Sequence, residues 1–113
     1  MHEMSIAEGI VDIALQTLKA NDGTVVHQIQ VQLGMMSGVE PDSLHFCFEA
    51  VTKGTAAEGA KLELQMVPVA ARCLDCDKEF PVEDYKFKCP QCGSTAVVMT
   101  TGRELRVVSI DMD

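Results

Sequence analysis

The chain has 113 residues, 47% of them hydrophobic, which is enough for one compact core with a small extra lobe. A formal charge of −8, with nine Lys and Arg scattered along the sequence, argues against a phosphate-binding basic face and so against nucleic acid as a partner. No apolar run approaches the ~20 residues that span a bilayer, and Met1-His2-Glu3 leads straight into an amphipathic segment instead of a secretory leader, so a cytoplasmic protein is expected.

Residues 4–20 read as a helix. Ile6, Ile10, Ile13 and Leu18, with Ala7, Val11, Ala14 and Leu15, recur at helical spacing and form a broad apolar face. Ser5 followed by Glu8 resembles a capping box, and Asn21-Asp22-Gly23 is a stop signal. Residues 24–34 alternate as a half-buried strand does, with Val25, His27, Ile29, Val31 and Leu33 on the apolar side and Gln28, Gln30 and Gln32 on the wet side. His27 on the apolar side reads as a hydrogen-bonded structural histidine. After a glycine-bearing loop, Pro41 suits the first turn of a second helix, where Leu44, Cys47, Phe48 and Val51 share a stripe and Gly54 ends the run. Unpaired Cys47 reads as packing, and His45 as a surface or boundary residue.

Residues 61–69 alternate again until Pro68, so strand, helix and strand in succession predict a parallel crossover. Residues 103–112 form a last strand carrying Leu105, Val107, Val108 and Ile110. The segment between them, 70–98, holds two Cys-x-x-Cys pairs, Cys73/Cys76 and Cys89/Cys92, twelve residues apart, with ribbon strands expected at 78–80 and 86–88. The expected fold class is α+β: a small mixed three-stranded sheet packed with two helices, and a four-cysteine zinc-ribbon lobe inserted before the last strand. The domains are expected at 1–69, completed by 103–112, and at 70–98.

Two Cys-x-x-Cys turns brought together aim four soft thiolates at one point, which suits a structural Zn(II) site. Paired disulfides would need an oxidising compartment. A thioredoxin-like redox pair leaves two cysteines unexplained. A rubredoxin-like iron centre uses the same four-thiolate geometry and stays open. At the other end, the α-amine of Met1, the amide and imidazole of His2 and the amide of Glu3 can close chelate rings in one plane. That nitrogen-rich geometry suits Ni(II) or Cu(II). His2, His27 and His45 form no nucleophilic or catalytic-zinc signature, so an enzyme is not expected.

Five stretches together resemble the HypA/HybF family of hydrogenase-maturation nickel metallochaperones. They are Met1-His2-Glu3-Met4-Ser5, Phe46-Cys47-Phe48, Gly54-Thr55-Ala56-Ala57-Glu58-Gly59, the two cysteine pairs, and Leu105-Arg106-Val107-Val108-Ser109-Ile110. The resemblance implies Ni(II) bound as transferred cargo through Met1, His2 and Glu3, with Glu40 as an additional carboxylate, and Zn(II) held structurally by Cys73, Cys76, Cys89 and Cys92. It implies partnership with a HypB-like GTPase and a [NiFe]-hydrogenase large-subunit precursor, with urease a client in some bacteria. Histidines that flank the cysteine pairs in some relatives are missing here. The sequence leaves homodimerisation open. The competing reading is a zinc-ribbon protein-interaction module in transcription or translation.

Overall fold

The computed structural model describes residues 3–113. Helix α1 spans Glu3–Ala20, strand β1 Val26–Gly34, helix α2 Pro41–Thr52, strand β2 Lys61–Val67, β3 Ala70–Cys73, β4 Glu79–Pro81, β5 Val97–Thr101 and β6 Leu105–Met112. Two three-stranded sheets result, ordered β2-β1-β6 and β4-β3-β5. The chain divides into two compact units. One holds α1 and the residues on to Gln32, Gly38–Gln65 and Arg106–Asp113. The other holds Leu33–Ser37 and Met66–Leu105.

In the first unit, α1 buries Ala7, Ile10, Val11, Ala14 and Leu18, one stripe at helical spacing, and packs against α2. Two expectations for α1 fail. Ile13 is 48% exposed, because it lies beside the stripe formed by its neighbours at 10, 11 and 14. Ser5 is no cap either: the helix already runs from Glu3, so Ser5 falls within its first turn. The stop at 21–23 is real. Gly23 N–H donates to the Leu18 carbonyl at 2.8 Å, and Asp22 takes the left-handed conformation (φ 54°).

Helix α2 starts as its sequence predicts, with Pro41 in the first turn and Glu40 as N-cap. Leu44, Phe48 and Thr52 are buried, Cys47 is half-buried, and Phe46 is left 72% exposed. Ile29 and Val31 of β1 are fully buried while Gln28, Gln30 and Gln32 are half-exposed, so the alternation read from the sequence is real in mid-strand. The Val26 N–H donates to Ala56 O (2.9 Å) and the Met35 N–H to Val67 O (2.9 Å), so β2 runs parallel to β1. Gly34 N–H to Glu104 O (2.7 Å) and Asp113 N–H to Val25 O (3.0 Å) make β6 antiparallel to β1. The sheet is therefore mixed.

His27 departs from its predicted side. Val26 is buried instead, and the His27 side chain stands about half-exposed with Nε2 2.8 Å from Asp113 Oδ2. The strict two-residue period does not hold from Val26 to Ile29, so the histidine is hydrogen-bonded as expected but at the surface. His45 is at the surface, as expected, its ring nitrogens 3.0 Å from the carbonyls of Pro41 and Leu62.

In the second unit β3 pairs antiparallel with both β4 and β5, placing Ala71 opposite Phe80 and Met99. Its core is small: Ala71, Cys73, Phe80 and Cys89, flanked by Val82 and Val97. The ribbon strand expected at 78–80 appears as β4, whereas 86–88 is irregular. The cause is a two-residue turn in which Asp84 (φ 52°) and Tyr85 (φ 58°) are both left-handed and Lys86 N–H bonds Glu83 O at 3.0 Å. The turn delivers the chain directly into the second cysteine pair, so β5 supplies the third strand. A left-handed tyrosine costs on the order of 1 kcal/mol.

Where Gly34 passes Gly102, a Cβ on Gly34 would overlap the Gly102 carbonyl, whereas a Cβ on Gly9 in α1 meets nothing within 4 Å. Gly34→Ala is therefore expected to destabilise the protein by about 1–3 kcal/mol and Gly9→Ala to stabilise it by about 0.5–1 kcal/mol, both read from chemical-denaturation midpoints. The His27 pKa is raised above 6.5, first by its hydrogen bond to Asp113 and then by that carboxylate's charge. A pKa raised by folding stabilises fully below the unfolded value and loses that contribution as pH rises through the folded one. Asp113→Asn should accordingly lower the melting temperature at pH 5–6 and leave it unchanged near pH 9.

Candidate metal centre

Each cysteine pair forms the same backbone turn. Cys73 O accepts from Asp77 N–H at 2.9 Å, and Cys89 O accepts from Gly93 N–H at 3.0 Å. Cys73 N–H donates to Lys78 O and Cys89 N–H to Ser94 O, each at 2.9 Å. The fifth residue of each turn, Asp77 (φ 65°) and Gly93 (φ 76°), is left-handed, which closes the loop and points both thiols inward. Glycine takes this conformation freely, and aspartate tolerates it better than most residues. Arg72 anchors Asp77 from outside through Nη1 to Oδ1 at 2.9 Å. Leu74 N–H to Ala96 O (2.8 Å) and a Ser94 hydroxyl bond to Asp75 join the two turns.

The four sulfurs end within 4.8 Å of one another, with Cys73–Cys92 and Cys76–Cys89 Sγ separations of 3.5 Å. A disulfide needs about 2.05 Å, and all four cysteines are free. A tetrahedron with metal–sulfur bonds near ~2.3 Å has edges of about 3.8 Å, so the cluster has the dimensions of a zinc site. Cys73 and Cys89 are buried, while Cys76 and Cys92 face solvent. Among the described residues this is the one cluster of metal-binding side chains.

The electrostatics of the thiols favour a cation. The Cys92 backbone N–H, against burial and aided by Gln91, pulls the Cys89 thiol down to about 6. Cys73 is lowered likewise, first by the Cys76 backbone N–H. Ser94 N–H pulls Cys92 downward, but the neighbouring Cys73 thiol, burial and Cys89 push it up to about 12. Cys76 also rises, with the Lys78 N–H opposing and Cys89 and burial driving it. The backbone N–H groups thus favour the thiolates of Cys73 and Cys89, while hydrogen bonds among the thiols and burial favour the protonated forms of Cys76 and Cys92. Binding a divalent ion requires all four as thiolates and so releases the protons that remain.

The remaining sequence-predicted ligands fall elsewhere. Met1 and His2 lie outside the described residues. Glu3 is half-buried in the first turn of α1. Glu40 is occupied as a cap: its Oε2 accepts from Ser43 N–H at 2.8 Å. The supporting residues Arg72, Asp75, Asp77 and Ser94 were not singled out in the sequence, although Ser94 directly after a left-handed glycine was a legible turn signal.

A family model described as "Hydrogenase/urease nickel incorporation, metallochaperone, hypA" matches residues 1–112. Two proteins named hydrogenase maturation factor HypA, from Azotobacter vinelandii and Dechloromonas aromatica, are 44% and 41% identical to the chain over 113 residues, covering all of both chains in each case. The solution structure of the Ni metallochaperone HypA from Helicobacter pylori has the same fold at 24% identity, with a TM-score of 0.70 over 99% of this chain and 97% of that one. A second HypA solution structure gives a TM-score of 0.77 at 26% identity, covering 99% and 96%.

Replacing Cys89 by serine removes a buried ligand. This variant is expected to lose most bound metal at neutral pH, by metal analysis of purified protein, and to expose the amides of β3–β5 to hydrogen exchange while those of α1 and α2 stay protected.

Proposed function

The chain belongs to the HypA family of hydrogenase and urease nickel-incorporation metallochaperones, and on that premise we propose that it binds Ni(II) at its amino terminus and delivers it for [NiFe]-hydrogenase maturation, with Zn(II) held by Cys73, Cys76, Cys89 and Cys92. As a maturation factor of this family it is not an enzyme. The observation that carries the proposal is the closed donor set of the cysteine cluster. Four thiols converge within 4.8 Å, so a tetrahedral ion there has every position filled by protein. Such a site holds its metal for folding. Cargo that must be released needs a different ligand set.

Met1-His2-Glu3 offers one: α-amine, backbone amides and imidazole, ligands that match the planar preference of Ni(II). Each must lose a proton to bind, so acidification favours release, and docking of a partner can strip the shell. Glu40 is an additional carboxylate in this reading. One of its oxygens caps α2 and the other is left for a metal or solvent. The site domain then comprises residues 1–69 with 103–112, and residues 70–98 form the zinc domain. Copper binds such nitrogen ligands at least as tightly as nickel, so loading with nickel depends on supply and on partners. The partners in this reading are a HypB-like GTPase and the hydrogenase large-subunit precursor, in the cytoplasm.

The competing role, a zinc-ribbon module in transcription or translation, has the family assignment and the acidic balance of the chain against it. Nickel titration of untagged, zinc-loaded protein tests the proposal. His2→Ala is expected to weaken nickel binding at neutral pH at least about a hundredfold while leaving one zinc per chain, in line with loss of a principal ligand. Unchanged affinity in that variant overturns the amino-terminal site.

A further inference from the structure

In the second unit, the Met35-Met36 turn and the Asp84-Tyr85 turn face each other across a cavity of about 180 Å³ floored by Val69 and Val82. From this arrangement we infer a docking pocket for a protein segment that presents one apolar side chain flanked by Lys or Arg.

The walls are fixed by backbone bonds. Met35 N–H donates to Val67 O (2.9 Å), Met36 N–H to Gly102 O (2.7 Å) and Val82 N–H to Val69 O (2.9 Å). Its two outer side chains are widely exposed: Met35 is 62% and Tyr85 76% accessible. Exposed large apolar groups around one concavity mark binding sites more often than scattered ones do. Methionine suits such a wall because its flexible thioether adapts to varied partners.

Tyr85 supplies the second argument. It occupies a left-handed position that glycine or asparagine would fill without strain, at the tip of a turn closed by Lys86 N–H to Glu83 O. The side chain buries little there, so packing within the chain does not account for a tyrosine at this position. Presenting a ring at the pocket mouth does account for it.

Size and charge specify the occupant. Apolar cavities of about 150 Å³ accept a benzene ring, so this one takes a single leucine- or phenylalanine-sized side chain. Among the described residues Asp84 is the one charged residue lining it; Glu83 and Lys86, either side of the turn, line a different cavity. The mouth is therefore negative, on a chain of formal charge −8, and draws a cationic segment in preference to an acidic one. The inference is independent of where nickel binds.

Tyr85 is the sole tyrosine of the chain, so its ring signals report on this pocket alone. The test records methionine-methyl and tyrosine-ring NMR signals of full-length, zinc-loaded protein during titration with a short peptide carrying leucine between two arginines, and with its twin carrying glutamates. The arginine peptide is expected to shift Met35, Met36 and Tyr85 saturably, and the glutamate twin is not. Asp84→Lys should weaken binding about fivefold. Tyr85→Gly, which relaxes the turn, should weaken it at least about tenfold while melting at or above the wild-type temperature. No shift at millimolar peptide, or equal shifts from both peptides, overturns the inference. So does a Tyr85→Gly variant that melts lower yet binds the peptide normally, which would make the ring a structural prop. Shifts that grow with protein concentration alone assign the pocket to a second copy and overturn the basic-segment assignment.

Discussion

Convergence of four thiols is the constraint on which the second unit depends. The cluster around its thiols consists of Ala71, Cys73, Phe80 and Cys89 with two half-buried valines, so two of the four buried members are themselves metal-ligand candidates. A core this small cannot offset the entropy of ordering some forty residues at ~1–2 kcal/mol each for the backbone. Metal binding closes that gap in small cysteine domains, where binding free energy is folding free energy. The hydrogen bonds of the paired turns serve the same end. They aim the sulfurs at one point, and the backbone N–H groups favour the thiolates of Cys73 and Cys89.

The first unit rests on ordinary burial. The stripe of α1, the inner face of β1 and Leu44 and Phe48 of α2 provide the apolar area, and no metal-binding cluster is found there among the described residues. In the proposed reading, one ion is kept and another given up, and separate ligand sets suit those two tasks. A closed sulfur cage gains stability from being slow to exchange. A cargo site gains function from being fast. Placing the two on different units, as proposed, would let each be tuned without cost to the other in a chain that matches a nickel-incorporation family over residues 1–112.

Much of this was legible in the residues. The 3.6-residue recurrence of α1 and the two-residue alternation of β1 depend on burial alone, and they fixed element type and position to within a few residues. The cysteine spacing gave the cluster outright, because a Cys-x-x-Cys turn admits few geometries. Local exceptions were not legible. Ile13 is apolar but sits just off a stripe that its neighbours already fill. His27 follows the alternation on paper, yet the strand loses its strict period beside it and a carboxylate 86 positions away recruits the ring. The segment 86–88 reads as a strand until the left-handed pair at Asp84 and Tyr85 turns the chain, and the tyrosine does not announce that conformation. Glu40's capping of α2 through one oxygen was not legible in the sequence.

The account turns on the two ions occupying different ligand sets. X-ray absorption at the nickel edge, on untagged protein carrying one zinc and one nickel per chain, addresses this most directly. Nitrogen and oxygen scatterers alone around nickel, with four sulfurs retained around zinc, are the predicted result. Sulfur in the nickel shell, or zinc displaced from the cysteines as nickel enters, would contradict it.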